Sequence, residues 1–400
     1  MLFLGCLFRK EQENEILKLS NIGIANAGNI FQWNLINGLD KLTTVDIINV
    51  LPVGTYPKKY KKLFLKTEKW GKKNSQNNLE IGSINIPVLK QFIRYKKIQI
   101  EIKSRIIKRD KIDNIIIYST YLPFLKAIYK LDKKTKITLI VTDLPEFYDL
   151  VKVGIIEKIL RKINNKRIYQ YLSRVDSFVL LTELMKIPLK VGNRPYVVVE
   201  GLVDNESIDE NNSNMCNQEP NKKVILYTGA LHYQFGIKNL LEAFKKIDDS
   251  DYELWICGAG EVEQEIKQLS IQDKRIKFYG YLTKQEVNKL QQQATVLINP
   301  RPDEGEYTKY SFPSKTMEYM LSEKPVIMYK LDGIPDEYDN YLYYINGNKP
   351  EDIAAKIIEV CEKNQEERNK FGEKARKFVI ENKNSIVQAE KILKMIQASK

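Results

Sequence analysis

Apolar, strand-like runs alternate with amphipathic stretches along nearly the whole chain. In the first half the runs are "MLFLGCLF", "TTVDIINVLPV", "NLEIGSINIPV", "NIIIYST", "KITLIVTD", "SFVLLT" and "YVVVEG"; in the second they are "VILYTGAL", "YELWICG", "RIKFYGYL", "ATVLINP", "PVIMYK" and "YLYYI". Helical patterns such as "IFQWNLINGLDKL", "IKNLLEAFKKI" and "PEDIAAKIIEVCEKN" lie between them. That alternation is the signature of parallel α/β sheets, and the Ile- and Val-rich runs suit strands covered on both faces. A chain of 400 residues is too long for one core and implies two domains. The polar, Asn-rich segment 205–223 is the natural linker. It separates an N-terminal domain (1–204) from a C-terminal one (224–380), and an amphipathic helix without a following strand closes the chain (381–400). The expectation is two doubly wound domains and one extra helix.

The cysteines Cys6, Cys216, Cys257 and Cys361 show no metal-ligand or CxxC spacing and read as reduced thiols. The start "MLFLGCLFRK" is too short in apolar residues for a secretory signal, and no run approaches a membrane span, so a cytoplasmic protein is expected. Charge is uneven. Residues 1–200 hold 36 Lys and Arg against 18 Asp and Glu, whereas residues 201–400 hold 28 against 33. The excess is densest in 56–73 and 94–111, where aromatic and aliphatic residues interleave with Lys. The excess reads either as simple solubility or as attraction to a polyanion, and for a polyanion the interleaving favours an anionic membrane surface over nucleic acid. No nucleic-acid-binding signature accompanies the charge.

Doubly wound domains bind ligands beyond the carboxyl ends of their strands, so residues just after strands carry the functional weight. "YTGALHYQFGIKNLLEAF" places Gly229 and Ala230 between a strand and a helix, where backbone amides can cradle phosphate or simply turn the chain. "ICGAGEVEQEI" repeats the arrangement at Gly258, lacking the third glycine of a dinucleotide fingerprint. Gly280, Tyr281 and Leu282 precede Thr283, a helix N-cap that leaves backbone groups to border a base. "INPRPDEGEYTKYSFPSKTMEYM" is long for an α/β connection. Ser311 and Pro313 mark a helix start, Lys315 falls in the first turn against the helix dipole, and a bound diphosphate would remove that conflict. Glu318 follows, a carboxylate that paired sugar hydroxyls could satisfy. His232, the single histidine, suits an acid/base role, a phosphate contact or a plain loop position. In the first half, Gly28 and Asn29 lie in a small-residue stretch before a helix, and Asp143 and Glu146 sit at a strand end as site carboxylates or helix caps.

Taken in order, "ILYTGAL…FGIKNLLEAF", "YELWICGAGE", "IKFYGYLTKQEV" and "VLINPR…YSFPSKTMEYMLSEKPVI" resemble the donor domain of family 4 glycosyltransferases of the GT-B fold. "VTDLPE", "LLTELM" and "VVVEGLVD" are similar to the branch that builds bacterial surface polysaccharides. The resemblance implies two Rossmann-like domains facing a cleft, with the closing helix crossing back to the first. It implies transfer with retention from a UDP- or GDP-sugar, without metal, to a lipid-linked glycan at the inner face of the membrane. Carried over by position, Glu318 holds the ribose. The Gly229–Ala230 loop and the Ser311–Phe312–Pro313–Ser314 start meet the diphosphate, Gly280–Leu282 border the base, and Gly28–Asn29 face the phosphate. Three departures stand out. Tyr310 replaces the first of the family's two glutamates, which leaves Glu304 or Glu306 to substitute; Ala230 and Phe235 replace a cationic clamp; and Thr142–Asp143 replace a histidine. Lys315, Asp143 and His232 are then the expected chemical groups, with Arg301 and Lys309 as further cations. A catalytically inactive GT-B protein that binds glycan or chaperones a partner transferase is the alternative.

Overall fold

In the computed structural model the described residues are all except 22–25, 73–74, 109–111, 133, 148–154, 205–221 and 399–400. The chain forms two compact units, Met1–Leu202 with Ser385–Lys400, and Val203–Asn384.

The strands of the first unit are β1 (Leu2–Gly5), β2 (Asp46–Asn49), β3 (Phe64–Leu65), β4 (Glu68–Lys72), β5 (Ser75–Glu80), β6 (Ser83–Ile84), β7 (Asn114–Tyr118), β8 (Lys136–Val141), β9 (Ser177–Leu180) and β10 (Tyr196–Val198). Eight of them make one sheet in the order β10-β9-β8-β7-β1-β2-β5-β4, and β3 pairs separately with β6. Every pairing in the large sheet is parallel except β4 on β5. The sequence pattern misses β4, because this Lys-rich edge strand buries too little to alternate. It is held instead by Trp70 edge-to-face on Trp33 at 5.9 Å and by Lys72 against Asp40 at 2.7 Å. Charged edges of this kind resist pairing with other chains.

The closing helix Ser385–Ala398 packs in the core of the first unit through Ala389, Ile392, Met395 and Ile396, beside Leu35 and Leu39 of the helix Asn26–Leu42. Gly38 permits that approach, since a Cβ there would lie 2.0 Å from the Ser385 carbonyl oxygen. The boundary expected at residue 381 moves accordingly. The helix Gln365–Asn382 belongs to the second unit, and the return begins at Ser385. The expected linker lies outside the described residues over 205–221, and its last residue, Lys223, already opens a strand.

The second unit has β11 (Lys223–Thr228), β12 (Tyr252–Cys257), β13 (Ile276–Gly280), β14 (Val296–Asn299), β15 (Val326–Met328) and β16 (Tyr343–Tyr344). They form a wholly parallel sheet in the order β13-β12-β11-β14-β15-β16. Counted within the unit this is 3-2-1-4-5-6, the doubly wound order whose switch point falls between the first and fourth strands. β12 and β14 are buried throughout, as strands covered on both faces must be. The loops after β11 and β14 therefore diverge where a ligand crevice belongs.

Candidate functional site

Glycines set the shape of the strand-end loops in the second unit. The Gly229 N–H donates to Cys257 O at 2.9 Å, the Leu231 N–H to Ala259 O at 2.9 Å, and the Gly258 N–H to Gly280 O at 2.8 Å. A Cβ on Gly258 would stand 1.8 Å from Gly229 O, at a φ of +147° that L-residues rarely adopt. These glycines thus let three loops lie against one another, and the Gly229 and Gly258 amides are spent on neighbouring loops. The expectation that the Gly229 amide meets phosphate is corrected by this bonding, and the Gly258 amide is likewise committed to a neighbouring loop. Gly236, at φ +77°, brings the loop after β11 to the loop after β14; a Cβ there would lie 1.9 Å from Pro300 O. Beyond Gly280, Tyr281 is 81% exposed, and Thr283, the expected N-cap, forms a capping box with Glu286.

After β14 the chain makes a 3-10 turn, Glu306–Tyr310, and then the helix Lys315–Leu321. Tyr319 fixes this helix to the end of β11: its hydroxyl accepts from the Thr228 N–H at 2.9 Å and donates to Thr228 O at 3.0 Å. On the same helix the Lys315 ammonium donates to Glu318 Oε2 at 3.1 Å, and Gln291 Nε2 donates to Glu318 Oε1 at 3.1 Å. The expected conflict between Lys315 and the helix dipole is therefore met within the protein, by a carboxylate in the same first turn, and no bound anion is required to explain it. Burial opposes the Lys315 charge, but the Glu318 carboxylate outweighs it and holds the lysine pKa above its ordinary value. Lys315 stays a cation and is unsuited to donate protons near neutral pH. Glu318 is only partly exposed and keeps acceptor lone pairs for a ligand.

Around this pair the predicted residues divide. Arg301 Nη2 donates to Ser311 Oγ at 2.9 Å, and its guanidinium lies 5.8 Å from the Phe235 ring centroid and 5.0 Å from that of Tyr307. One cation is thus fixed between the two switch-point loops. Phe312 is buried against Tyr338 with ring centroids 5.2 Å apart, and Pro313 is buried beside it. Phe312 is a core residue, which corrects its reading as a ligand contact. Ser314 is the N-cap position, exposed and without a side-chain cap bond. Tyr310 and Ser311 are partly exposed, Ala230 is exposed, and Glu304 and Glu306 are exposed. His232 Nδ1 sits 3.5 Å from Glu261 Oε1, with its ring edge-to-face on Phe235. Sequence reasoning missed Gln291 and Tyr319. Tyr319 carried a signal, being an aromatic hydroxyl next to Glu318, whereas Gln291 comes from the helix before β14 and carried none.

In the first unit, Gly28 and Asn29 fall inside the helix Asn26–Leu42 rather than in a loop before it. The Asn29 carboxamide accepts from the Phe8 N–H at 2.8 Å and is buried, so its oxygen is held by backbone; this corrects its reading as a phosphate contact. A Cβ on Gly28 would lie 2.8 Å from the Tyr118 hydroxyl. Asp143 is exposed just past β8, and the nearby Glu146 accepts from the Tyr169 hydroxyl at 3.0 Å. Among the described residues no group of three or more His, Cys, Asp or Glu is placed to hold a metal, and no helix is long and apolar enough to cross a membrane.

Two parallel, doubly wound units with this topology are a Rossmann-like GT-B fold. Solved structures share it over the whole chain. A lipopolysaccharide outer core galactosyltransferase, WaaB, superposes with a TM-score of 0.65 at 16% identity, covering 100% of this chain and 99% of that one. Anabaena Alr3699/HepE in complex with UDP superposes with a TM-score of 0.62 at 12% identity, covering 99% of each. At the level of sequence, residues 209–378 match the family described as glycosyl transferases group 1. An uncharacterized glycosyltransferase of Methanocaldococcus jannaschii, MJ1607, is 28% identical over 120 residues, which is 29% of this chain and 29% of that protein. The fold is thus that of GT-B proteins, and residues 209–378 are similar in sequence to glycosyl transferases group 1.

Proposed function

We propose that this protein transfers a sugar, with retention, from a UDP- or GDP-sugar to a lipid-linked glycan in bacterial capsule, exopolysaccharide or O-antigen assembly. The observation that carries the reading is the Lys315–Glu318 pair, fixed by Gln291 and Tyr319 at the switch point of the second unit. Glu318 accepts the paired ribose hydroxyls. Lys315, with Arg301 beside Ser311, supplies the positive charge that the departing diphosphate needs, and the reading calls for no metal. The UDP in the complex of the HepE neighbour supports a nucleotide-linked donor, and the lipopolysaccharide outer core galactosyltransferase neighbour supports a glycan acceptor.

Docking on an anionic inner leaflet rests on the helix Leu89–Lys108. Its outer face sets Leu89, Phe92, Ile100 and Ile107 in line with Lys96 and Lys103, at successive spacings of three or four residues. Ile107 is 79% exposed there. Apolar and cationic residues sharing one solvent face suit the headgroup region of a bilayer.

Incubating the purified protein with a panel of nucleotide-sugars and lipid-linked acceptors, and following nucleoside diphosphate release, tests the reading. The anomeric configuration of the product, read by NMR, tests retention. Tyr310 in place of a sugar-holding glutamate favours a second reading, a GT-B protein that binds glycan without turnover. Thermal stabilisation by a nucleotide-sugar with no diphosphate release from any donor would establish that reading and refute transfer.

A further inference from the structure

The first unit has a switch point of its own. β1 lies between β7 and β2, so the loops after β1 and β7 diverge there. Cys6 follows β1. Ser119, at φ +65°, follows β7 and leads to Tyr121, the N-cap of the helix Leu122–Ile128. Over this point the helix Leu89–Lys108 lays Lys90 and Arg94, one turn apart, on its inner face. Their exposures are 4% and 3%. Lys90 Nζ donates to Val53 O at 2.6 Å; Arg94 Nη2 donates to Leu51 O at 2.9 Å, and Nη1 to the Tyr121 hydroxyl at 3.2 Å. Arg94 Nε is buried with no partner. Among the described residues neither cation pairs with a carboxylate.

Two like charges withdrawn from water, one helical turn apart and without a counter-ion, are costly. Among the described residues the surroundings supply no carboxylate to the pair. Burial, and secondarily Arg94, lowers the Lys90 pKa to about 7. Burial pushes the Cys6 thiol up to about 12 and raises the Tyr121 phenol. Carbonyl contacts explain how the pair ties down the segment Leu51–Gly54. They do not explain why two cations do it, or why Arg94 Nε is left over.

We propose that Lys90 and Arg94, with the Tyr121 hydroxyl, form an oxyanion site that takes a phosphate or diphosphate group at the switch point of the first unit. The site stands on this charge geometry. Only the identity of the molecule that carries the phosphate, an acceptor, rests on the transferase reading.

Calorimetry of the full chain with inorganic pyrophosphate tests it, with UDP at saturation so that the second unit does not report. The expected result is binding that Lys90→Met and Arg94→Met each weaken at least about tenfold. Wild-type protein is further expected to take up part of a proton per pyrophosphate near pH 7.5 as Lys90 becomes charged, and Lys90→Arg is expected to abolish that uptake while retaining binding. A hexose 1-phosphate and a polyprenyl phosphate in mixed micelles, run as separate arms, distinguish a soluble carrier from a lipid one. If the methionine variants fail to fold, the proton uptake of wild type against Lys90→Arg still decides. No binding of any of the three probes, or equal pyrophosphate binding by folded methionine variants, would leave the pair as a structural clamp and overturn the site. Donor turnover measured in parallel keeps the two readings apart, because pyrophosphate binding without diphosphate release supports this site and rejects only the transferase.

Discussion

The two units place charge at their switch points in opposite ways. In the second unit Lys315 meets its own carboxylate, Glu318, on a partly exposed helix turn, and the lysine stays a cation. In the first unit Lys90 and Arg94 are buried together and, among the described residues, hydrogen-bond only to carbonyls and a phenol. The same doubly wound topology thus supports a balanced site and an unbalanced one. A balanced pair is ready to orient a ligand by hydrogen bonds and keeps a cation at hand. An unbalanced pair stores an unfavourable interaction that an arriving anion relieves.

That comparison can be broken in several places. The largest effect is expected at Lys315. If it carries charge that develops on the leaving group, Lys315→Ala should lower kcat by about 100- to 1,000-fold and change KM little, because only the transition state needs that charge. Steady-state kinetics with the donor varied reads this, and an equal loss in both constants would move Lys315 from chemistry to ground-state binding. Gly258→Ala comes next. The added Cβ, 1.8 Å from Gly229 O at a positive φ, should destabilise the second unit by about 2–4 kcal/mol in denaturant unfolding. A near-neutral result would show that the loops relax apart.

Glu318→Ala should weaken nucleotide binding by about tenfold, or about 1.4 kcal/mol, by calorimetry; an unchanged dissociation constant removes the ribose assignment. The smallest effect concerns pH. Because Lys90 has a folded pKa near 7 and an ordinary unfolded one near 10.5, the unfolded chain binds more protons between those values. Its contribution therefore makes stability rise with pH above 7, by at most about 1.4 kcal/mol per pH unit. The raised Cys6 thiol acts oppositely only above its ordinary value of 9.0. Between pH 7 and 9, Lys90→Met should flatten the pH dependence of unfolding free energy. A slope identical to wild type would show that Lys90 is not a depressed cation.

Much of the fold was legible because buried parallel strands write themselves as uninterrupted Ile and Val runs. Each strand run named in the second half appears as a strand, in the expected order along the chain. β4 was hidden, since an exposed Lys-rich edge has no apolar pattern to read. The site was legible in part. Lys315, Glu318 and the glycine turns stood out by position, yet the sequence assigned the glycine amides to a ligand when the neighbouring loops consume them. Spacing along a chain shows which residues follow a strand. It does not show which backbone groups from other loops will already be bonded there.

By itself the sequence determined the two α/β units, their strands, the basic first half and the lysine–glutamate step after β14. Tertiary structure alone decided that Gln291 and Tyr319 hold that step in place, that Phe312 and Asn29 belong to packing, and that Lys90 and Arg94 are buried without an acid. The reason is physical. Local pattern records the solvent exposure of each residue in its own element. Hydrogen-bond partners and counter-ions come from elements far away in sequence, and only folding brings them together.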